Sequence, residues 1–235
     1  MKTIILCGGK GTRMWEETEY RPKALVKVGD QPILWHIMKI YAHHGYQDFI
    51  LALGYKGKMI EDYFSATRDF RISFVDTGLE SLTGERIRRL KQHIDDDEFM
   101  VTYGDGVADI DINKLIDFHH RQGTVGTITG AQPYSKYGFL RFSPDNNLVS
   151  GFNQKPLMNN QYVSSGFMVF NKKFFDYLGE FPNGMIEDTF PKLIEEKQLS
   201  IYRHNGFWKA MDTLKEVQEL NEVWQRGSPW KIWEA

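Results

Sequence analysis

The chain has 235 residues, of which 41% are hydrophobic, 26% charged and 14% aromatic, enough apolar material for a sizeable buried core. Its 29 Lys and Arg against 31 Asp and Glu give a net charge of −2, which excludes a general nucleic-acid binder that must neutralise a phosphate backbone. The single cysteine, Cys7, excludes an internal disulfide and a multi-cysteine metal site, and no apolar run reaches the length of a membrane span.

Residues 3–7 form a short apolar run that ends at Gly8-Gly9, the pattern of a buried first strand. The run is too short for a signal peptide, so a cytoplasmic location is expected. Residues 32–44 carry Ile33, Ile37, Ile40 and Tyr41 at helical spacing, with Gly45 placed to cap the end. A strand is expected over 48–53, a short helix over 58–64 and a third strand over 72–75. The fourth strand, 98–103, runs straight into Gly104-Asp105-Gly106. Asp111 reads as the N-cap of a helix bearing Ile112, Leu115, Ile116 and His119, ended by Gly123. Beyond it the pattern turns β-like over 124–131, 138–142, 148–152 and 163–170. A helix near 188–197 and a strand over 199–203 follow. The final helix opens on a Thr213…Glu216 capping box and stops at Gly227-Ser228-Pro229. Alternating strands and helices predict one doubly wound α/β domain with no linker, whose second half adds mixed strands and a lid-like region.

Two segments carry candidate chemistry. Gly8-Gly9-Lys10-Gly11-Thr12-Arg13 follows the first strand; three glycines in four positions let backbone N–H groups converge on a phosphate chain, and Lys10 and Arg13 add positive charge. Lys23, after Pro22, can return to the same mouth. The loop lacks the Gly-Lys-Ser/Thr of a Walker A motif, and Met14 breaks the dinucleotide-binding fingerprint. Asp105 lies at the end of a buried parallel strand, where open α/β sheets bind ligands, and suits Mg²⁺ held jointly with phosphate oxygens. Asp212 is a weaker candidate: from spacing alone it reads as an acid favouring the dipole of the last helix. His43-His44 and His119-His120 do not share helix faces and are expected at the surface or its boundary. The acidic run 95–98 reads as a solvated loop, and Cys7 as a small apolar filler. No Ser/His/Asp or Cys/His arrangement stands out.

Leu6-Cys7-Gly8-Gly9-Lys10-Gly11-Thr12-Arg13 with Arg21-Pro22-Lys23 resembles the signature of the sugar-1-phosphate nucleotidyltransferases. Residues 32–38, Gly54-Tyr55-Lys56-Gly57, Thr102-Tyr103-Gly104-Asp105-Gly106, Met211-Asp212-Thr213 and Pro229-Trp230-Lys231 extend the likeness, which is greatest to the glucose-1-phosphate cytidylyltransferase branch. The resemblance implies a Rossmann-like, doubly wound mixed α/β sheet spanning 1–235, with a nucleotide-binding half (1–123) and a sugar-phosphate-binding half (124–235). Leu6, Gly8, Gly9, Lys10, Gly11, Thr12 and Gly104 would hold the nucleoside triphosphate, with Thr83 and Gly84 in the loop that meets the base. Arg13 would grip the departing pyrophosphate, and Lys23 would neutralise the reacting phosphates. Asp105 and Asp212 would hold Mg²⁺. Gly138, Gln154 and Lys155 would meet the sugar phosphate, and Glu187 the sugar. A homo-oligomer is expected, with no nucleic-acid or membrane partner.

The implied reaction joins a nucleoside triphosphate, most simply CTP, to a sugar 1-phosphate with release of pyrophosphate. It needs positioning and charge neutralisation but no covalent intermediate or general base. Gln154 stands where the family has glutamate, Glu85 where the cytidylyltransferases tend to have glycine, and the segment 64–71 is shorter than theirs; these departures bear on sugar identity. Three other readings stand beside it: a UTP-, dTTP- or GTP-using relative with another sugar, a metal-dependent glycosyltransferase using Asp109-Ile110-Asp111, and a non-catalytic sugar-nucleotide-binding homologue.

Overall fold

Seven strands build the central sheet: β1 (Thr3–Leu6), β2 (Asp48–Leu53), β3 (Arg71–Asp76), β4 (Glu98–Tyr103), β5 (Gly126–Ala131), β6 (Val163–Asn171) and β7 (Leu199–His204). The computed structural model describes residues 1–158 and 161–234. The strand order is β7-β5-β6-β4-β1-β2-β3. Only β6 runs antiparallel to its neighbours β4 and β5; every other pairing is parallel, so the sheet is mixed. Both faces are covered, which is why the inner strands read as unbroken apolar runs. Along β1, Ile4 and Leu6 enter one core cluster while Ile5, followed by Cys7, enters the other.

Helices α1 (Ile33–His43), α2 (Gly57–Phe64), α3 (Thr83–Arg89), α4 (Ile112–Gln122), α5 (Phe190–Glu195) and α6 (Leu214–Gln225) connect or flank the strands. Asp111 caps α4 by accepting from the Lys114 backbone N–H, and Gly123 ends it with φ 61°. Thr213 caps α6 through the Glu216 N–H. The expected helix over 188–197 is instead a 3-10 turn, Ile186–Thr189, followed by the shorter α5, which begins just before Pro191. Helix α3 and the short helix Phe174–Leu178 are additions to the sequence reading. Residues 139–142 and 149–153 form a separate antiparallel ribbon with mostly exposed side chains. No helix among the described residues is long and apolar enough to cross a membrane.

Two small features decide where the functional groups meet. Because β1 pairs with β2 on one side and β4 on the other, the chain reverses its winding direction between β1 and β4, and a crevice opens at their carboxyl ends. Strand Gly106–Ala108, just beyond β4, pairs antiparallel with Trp208–Ala210. That pairing, extended by a bond from Met211 N–H to the Asp105 carbonyl (2.9 Å), draws the start of α6 to the end of β4.

Histidine placement departs from expectation at His119, which is buried and shares a 2.7 Å hydrogen bond between its Nδ1 and Thr127 Oγ1. His36 is also fully buried: its Nε2 lies 2.8 Å from the Val28 carbonyl, and Trp230 Nε1 donates to its Nδ1 at 3.4 Å. Trp230, itself fully buried, thereby fastens the C-terminal segment to α1. Burial pushes the His36 pKa down to about 4, against the partial support of the Val28 carbonyl. An unfolded chain binds this proton near pH 6.5 while the folded chain does not until about pH 4. Stability from this site is therefore full above pH 6.5 and falls between pH 6.5 and 4, by about 3 kcal/mol in all. Denaturant midpoints measured across this range should fall in the native protein and fall less steeply in His36→Gln.

Candidate active site

The crevice holds two adjoining cavities of about 330 and 310 Å³. The first is lined by the glycine loop (Leu6, Gly8, Gly9, Gly11, Arg13), Lys23, the turn at Ser81–Thr83, Arg86, Tyr103, Gly104 and Asp105. Arg13, Thr83, Tyr103, Asp105 and Met185 also line the second, which adds Ser164, Ser165, Glu187, Trp208 and Asp212. Gly11, at φ 63°, turns the chain into the 3-10 turn Thr12–Met14 and so brings Arg13 to the boundary between the cavities.

At that boundary four charges meet. Lys23 Nζ donates to Asp105 Oδ2 at 2.5 Å and to Asp212 Oδ1 at 2.7 Å. Arg13 grips Asp212 with both terminal nitrogens, each at 2.9 Å, although its side chain is 70% exposed. Partial burial works against the charge of Asp212, but the hydrogen bond and charge of Lys23, with Arg13 and Lys136 nearby, hold its carboxyl below the usual range. Asp212 does not serve the helix behind it: its backbone N–H meets Glu216 Oε2 at 2.8 Å while its carboxylate turns into the crevice. The helix-dipole reading from spacing therefore does not describe it. Two carboxylates on one ammonium present hard oxygen donors on one side of a phosphate-sized space. That set fits Mg²⁺, which takes one or two carboxylates with the rest of its shell from water and phosphate.

Arg86 is the main residue that the sequence reading missed. It is buried, and its guanidinium donates to the carbonyls of Leu53 (2.9 Å), Gly8 (3.0 Å) and Gly78 (2.8 Å) and to Thr77 Oγ1 (2.7 Å). It thus ties the glycine loop to the ends of β2 and β3. A Cβ on Gly8 would come within 2.3 Å of this guanidinium, so the close approach requires glycine there. Sequence offered no signal for Arg86, because Thr83–Arg89 has no apolar stripe. Tyr103 was likewise passed over: its hydroxyl donates to Glu187 Oε1 at 2.6 Å, and its ring lines both cavities.

Other candidates fall where the sequence reading did not put them. Thr83 and Gly84, expected in a loop, open α3. Thr83 faces the cavities and accepts from Ile186 N–H at 3.0 Å, whereas Gly84 is buried against the carbonyls of Gly184 and Met185. Lys10 and Thr12 are exposed and line neither cavity, and Lys10 pairs with Glu80 at 2.7 Å. Gly138, Gln154 and Lys155 are exposed at the ribbon and line neither cavity. Lys155 Nζ lies 4.0 Å from Glu219, which holds Lys209 of the strand along the second cavity. Asp109 pairs with His204 at 3.0 Å and Asp111 caps α4, so they do not form an Asp-x-Asp metal site. Burial pushes the Cys7 thiol up to about 12, in keeping with an inert filler.

Residues 2–225 match the nucleotidyl transferase family. A protein of Bacillus subtilis (strain 168) described as a probable glucose-1-phosphate cytidylyltransferase is 41% identical, over 99% of this chain and 100% of its own length. Glucose-1-phosphate cytidylyltransferase of Salmonella typhi is 38% identical over the full length of both. Among solved structures, UDP-glucose pyrophosphorylase complexed with UDP-glucose superposes with a TM-score of 0.75 at 17% identity, covering 96% of this chain and 98% of that one, which speaks to the fold alone.

Glu85 ties α3 to the segment that leads into the Ile186–Thr189 turn. It is buried, accepts from Arg88 and Arg89 at 2.6 to 2.8 Å, and receives the Asn183 N–H at 3.3 Å. The Arg88 hydrogen bonds, outweighing burial and joined by Arg89, hold its carboxyl down at about 2. Replacing the buried carboxylate by an amide loses its charge-assisted bonds to two half-exposed arginines and weakens the acceptor for the Asn183 N–H, so Glu85→Gln should lower stability by about 2 kcal/mol, read from denaturant midpoints at pH 7.

Proposed function

This chain belongs to the nucleotidyl transferase family, and from that premise we propose that it forms CDP-glucose and pyrophosphate from CTP and glucose 1-phosphate. The observation that carries the reading is the Lys23–Asp105–Asp212–Arg13 cluster at the junction of two cavities, one behind a glycine loop. The names of the full-length relatives support cytosine as the base and glucose 1-phosphate as the acceptor.

In this reading the triphosphate enters the first cavity, where the backbone N–H groups of the glycine loop meet its phosphates. Arg13 and Lys23, now held by carboxylates, exchange those partners for phosphate oxygens. Lys23 offsets charge at the reacting phosphorus, and Arg13 follows the pyrophosphate as it leaves. The sugar phosphate occupies the second cavity. One of its oxygens, already ionised at neutral pH, attacks the α-phosphorus; a new P–O bond forms as the bond to the β-phosphate oxygen breaks. Alignment and charge neutralisation carry the rate, so no basic histidine is required. Asp105 and Asp212 would hold Mg²⁺, which when bound draws charge from the triphosphate oxygens.

Glu187 supports sugar recognition: it lines the second cavity, and its Oε2 is buried without a hydrogen-bond partner among the described residues. Gln154 and Lys155 would reach the sugar phosphate from the ribbon. Glutamine in place of the family's glutamate favours a second reading, in which the preferred sugar 1-phosphate is not glucose's. The enzyme would act in the cytoplasm as a homo-oligomer, and its product would feed polysaccharide synthesis.

Four nucleoside triphosphates crossed with several sugar 1-phosphates, read by pyrophosphate release, test the assignment. CTP with glucose 1-phosphate should give the highest kcat/KM; equal turnover with ATP or GTP contradicts it. Nucleoside diphosphate release from a ready-made sugar nucleotide would mark a glycosyltransferase instead. Asp105→Asn should lower kcat by about 100-fold or more with the fold intact, and chelation by EDTA should abolish turnover until Mg²⁺ is restored. Gln154→Glu should raise kcat/KM for glucose 1-phosphate by about tenfold, since a carboxylate accepts sugar hydroxyls more strongly than an amide; no gain means that the amide already serves glucose.

A further inference from the structure

Tyr103 stands at the partition between the cavities, the last residue of β4, with Gly104-Asp105 directly behind it. Its ring is seated by Gly166, which sits at φ 86° and whose Cβ, were there one, would lie 2.6 Å from the ring. Opposite, Glu187 belongs to the 3-10 turn Ile186–Thr189. That turn is held independently of Tyr103, by Thr83 through Ile186 N–H, by Asp188 through Met185 N–H at 2.6 Å, and by the Thr189 hydroxyl on the Ile186 carbonyl at 2.7 Å. The backbone of Glu187 is therefore placed, but its carboxylate could rotate.

One contact sets that rotation. The Tyr103 hydroxyl donates to Glu187 Oε1 at 2.6 Å, in the range of a charge-assisted O–H···O⁻ bond. A phenol is protonated at neutral pH and an ionised carboxylate only accepts, so in this pair the hydroxyl is the donor. Glu187 Oε2 is buried and accepts no hydrogen bond among the described residues. A buried carboxylate oxygen without a donor is costly unless a ligand supplies one.

We propose that Tyr103 is a positioning residue for sugar selection: by occupying Oε1 of Glu187 it orients Oε2 as the single acceptor for a hydroxyl of the bound sugar 1-phosphate. The inference rests on the reading of the second cavity as the sugar site. It makes sugar affinity depend on a phenol hydroxyl that is engaged with Glu187 and lies outside the Lys23–Asp105–Asp212–Arg13 cluster. Losing the phenol frees the carboxylate to turn, so the sugar hydroxyl no longer meets a prearranged acceptor.

Tyr103→Phe keeps the ring and removes only the donor. With CTP and glucose 1-phosphate, this variant should raise KM for the sugar phosphate by about tenfold, while KM for CTP and kcat at saturation stay within about twofold. In a Glu187→Ala background the same substitution should add no further rise, because the carboxylate it orients is gone. Parallel rises in both KM values, or an undiminished effect without Glu187, would overturn the proposal and leave Tyr103 as packing between the cavities. Failure of the unaltered protein to turn over any sugar 1-phosphate would overturn the functional reading, and this inference with it.

Discussion

The site depends on one ammonium group. Lys23 Nζ holds Asp105 and Asp212 together, and Arg13 closes over Asp212 from the solvent side. Two cations and two anions cancel, so the crevice carries these groups without an unpaired half-buried charge. The same pairing keeps the lysine and arginine pointed at the space a triphosphate would fill. Lys23 is thus already held inside the crevice by its two carboxylates, while Arg13, still largely exposed, reaches in from the rim.

Around this cluster the scaffold works by short ties between segments remote in sequence. Arg86 fastens the glycine loop to the ends of β2 and β3. Glu85, next to it, fastens α3 to Asn183 and so to the turn carrying Glu187. A single turn of α3 therefore sets the spacing between the floor of the first cavity and one wall of the second. Both residues are buried and charged, which an inward helix face tolerates only because each ion is saturated with partners.

Most of the sheet could be read from the chain because its inner strands are covered on both faces and so appear as continuous apolar runs; the 48–53 and 98–103 strands coincide with the expected limits. Helix α3 could not, since its inward residues are Glu85 and Arg86 and the apolar period is absent. The strand pair 106–108 and 208–210 is too short for alternation to show. Within the site, the glycine loop and Asp105 were legible from their places after strands. Asp212 was not legible from spacing, because local pattern sees the helix it precedes and not a lysine 189 positions earlier. Lys10 shows the converse: its loop was recognisable, but its pairing with Glu80 depends on a turn that sequence does not locate.

The little antiparallel pair that joins 106–108 to 208–210 also bears on how the protein is made. Arg13 and Asp212 are 199 positions apart, and Asp212 reaches the crevice only when the last strand has docked beside the end of β4. During synthesis the glycine loop and β1–β4 can be assembled long before that carboxylate leaves the ribosome. A nascent chain therefore carries Arg13 and Lys23 without one of their two anionic partners. The complete charge cluster consequently needs the chain synthesised through position 212 and the 208–210 strand docked beside 106–108.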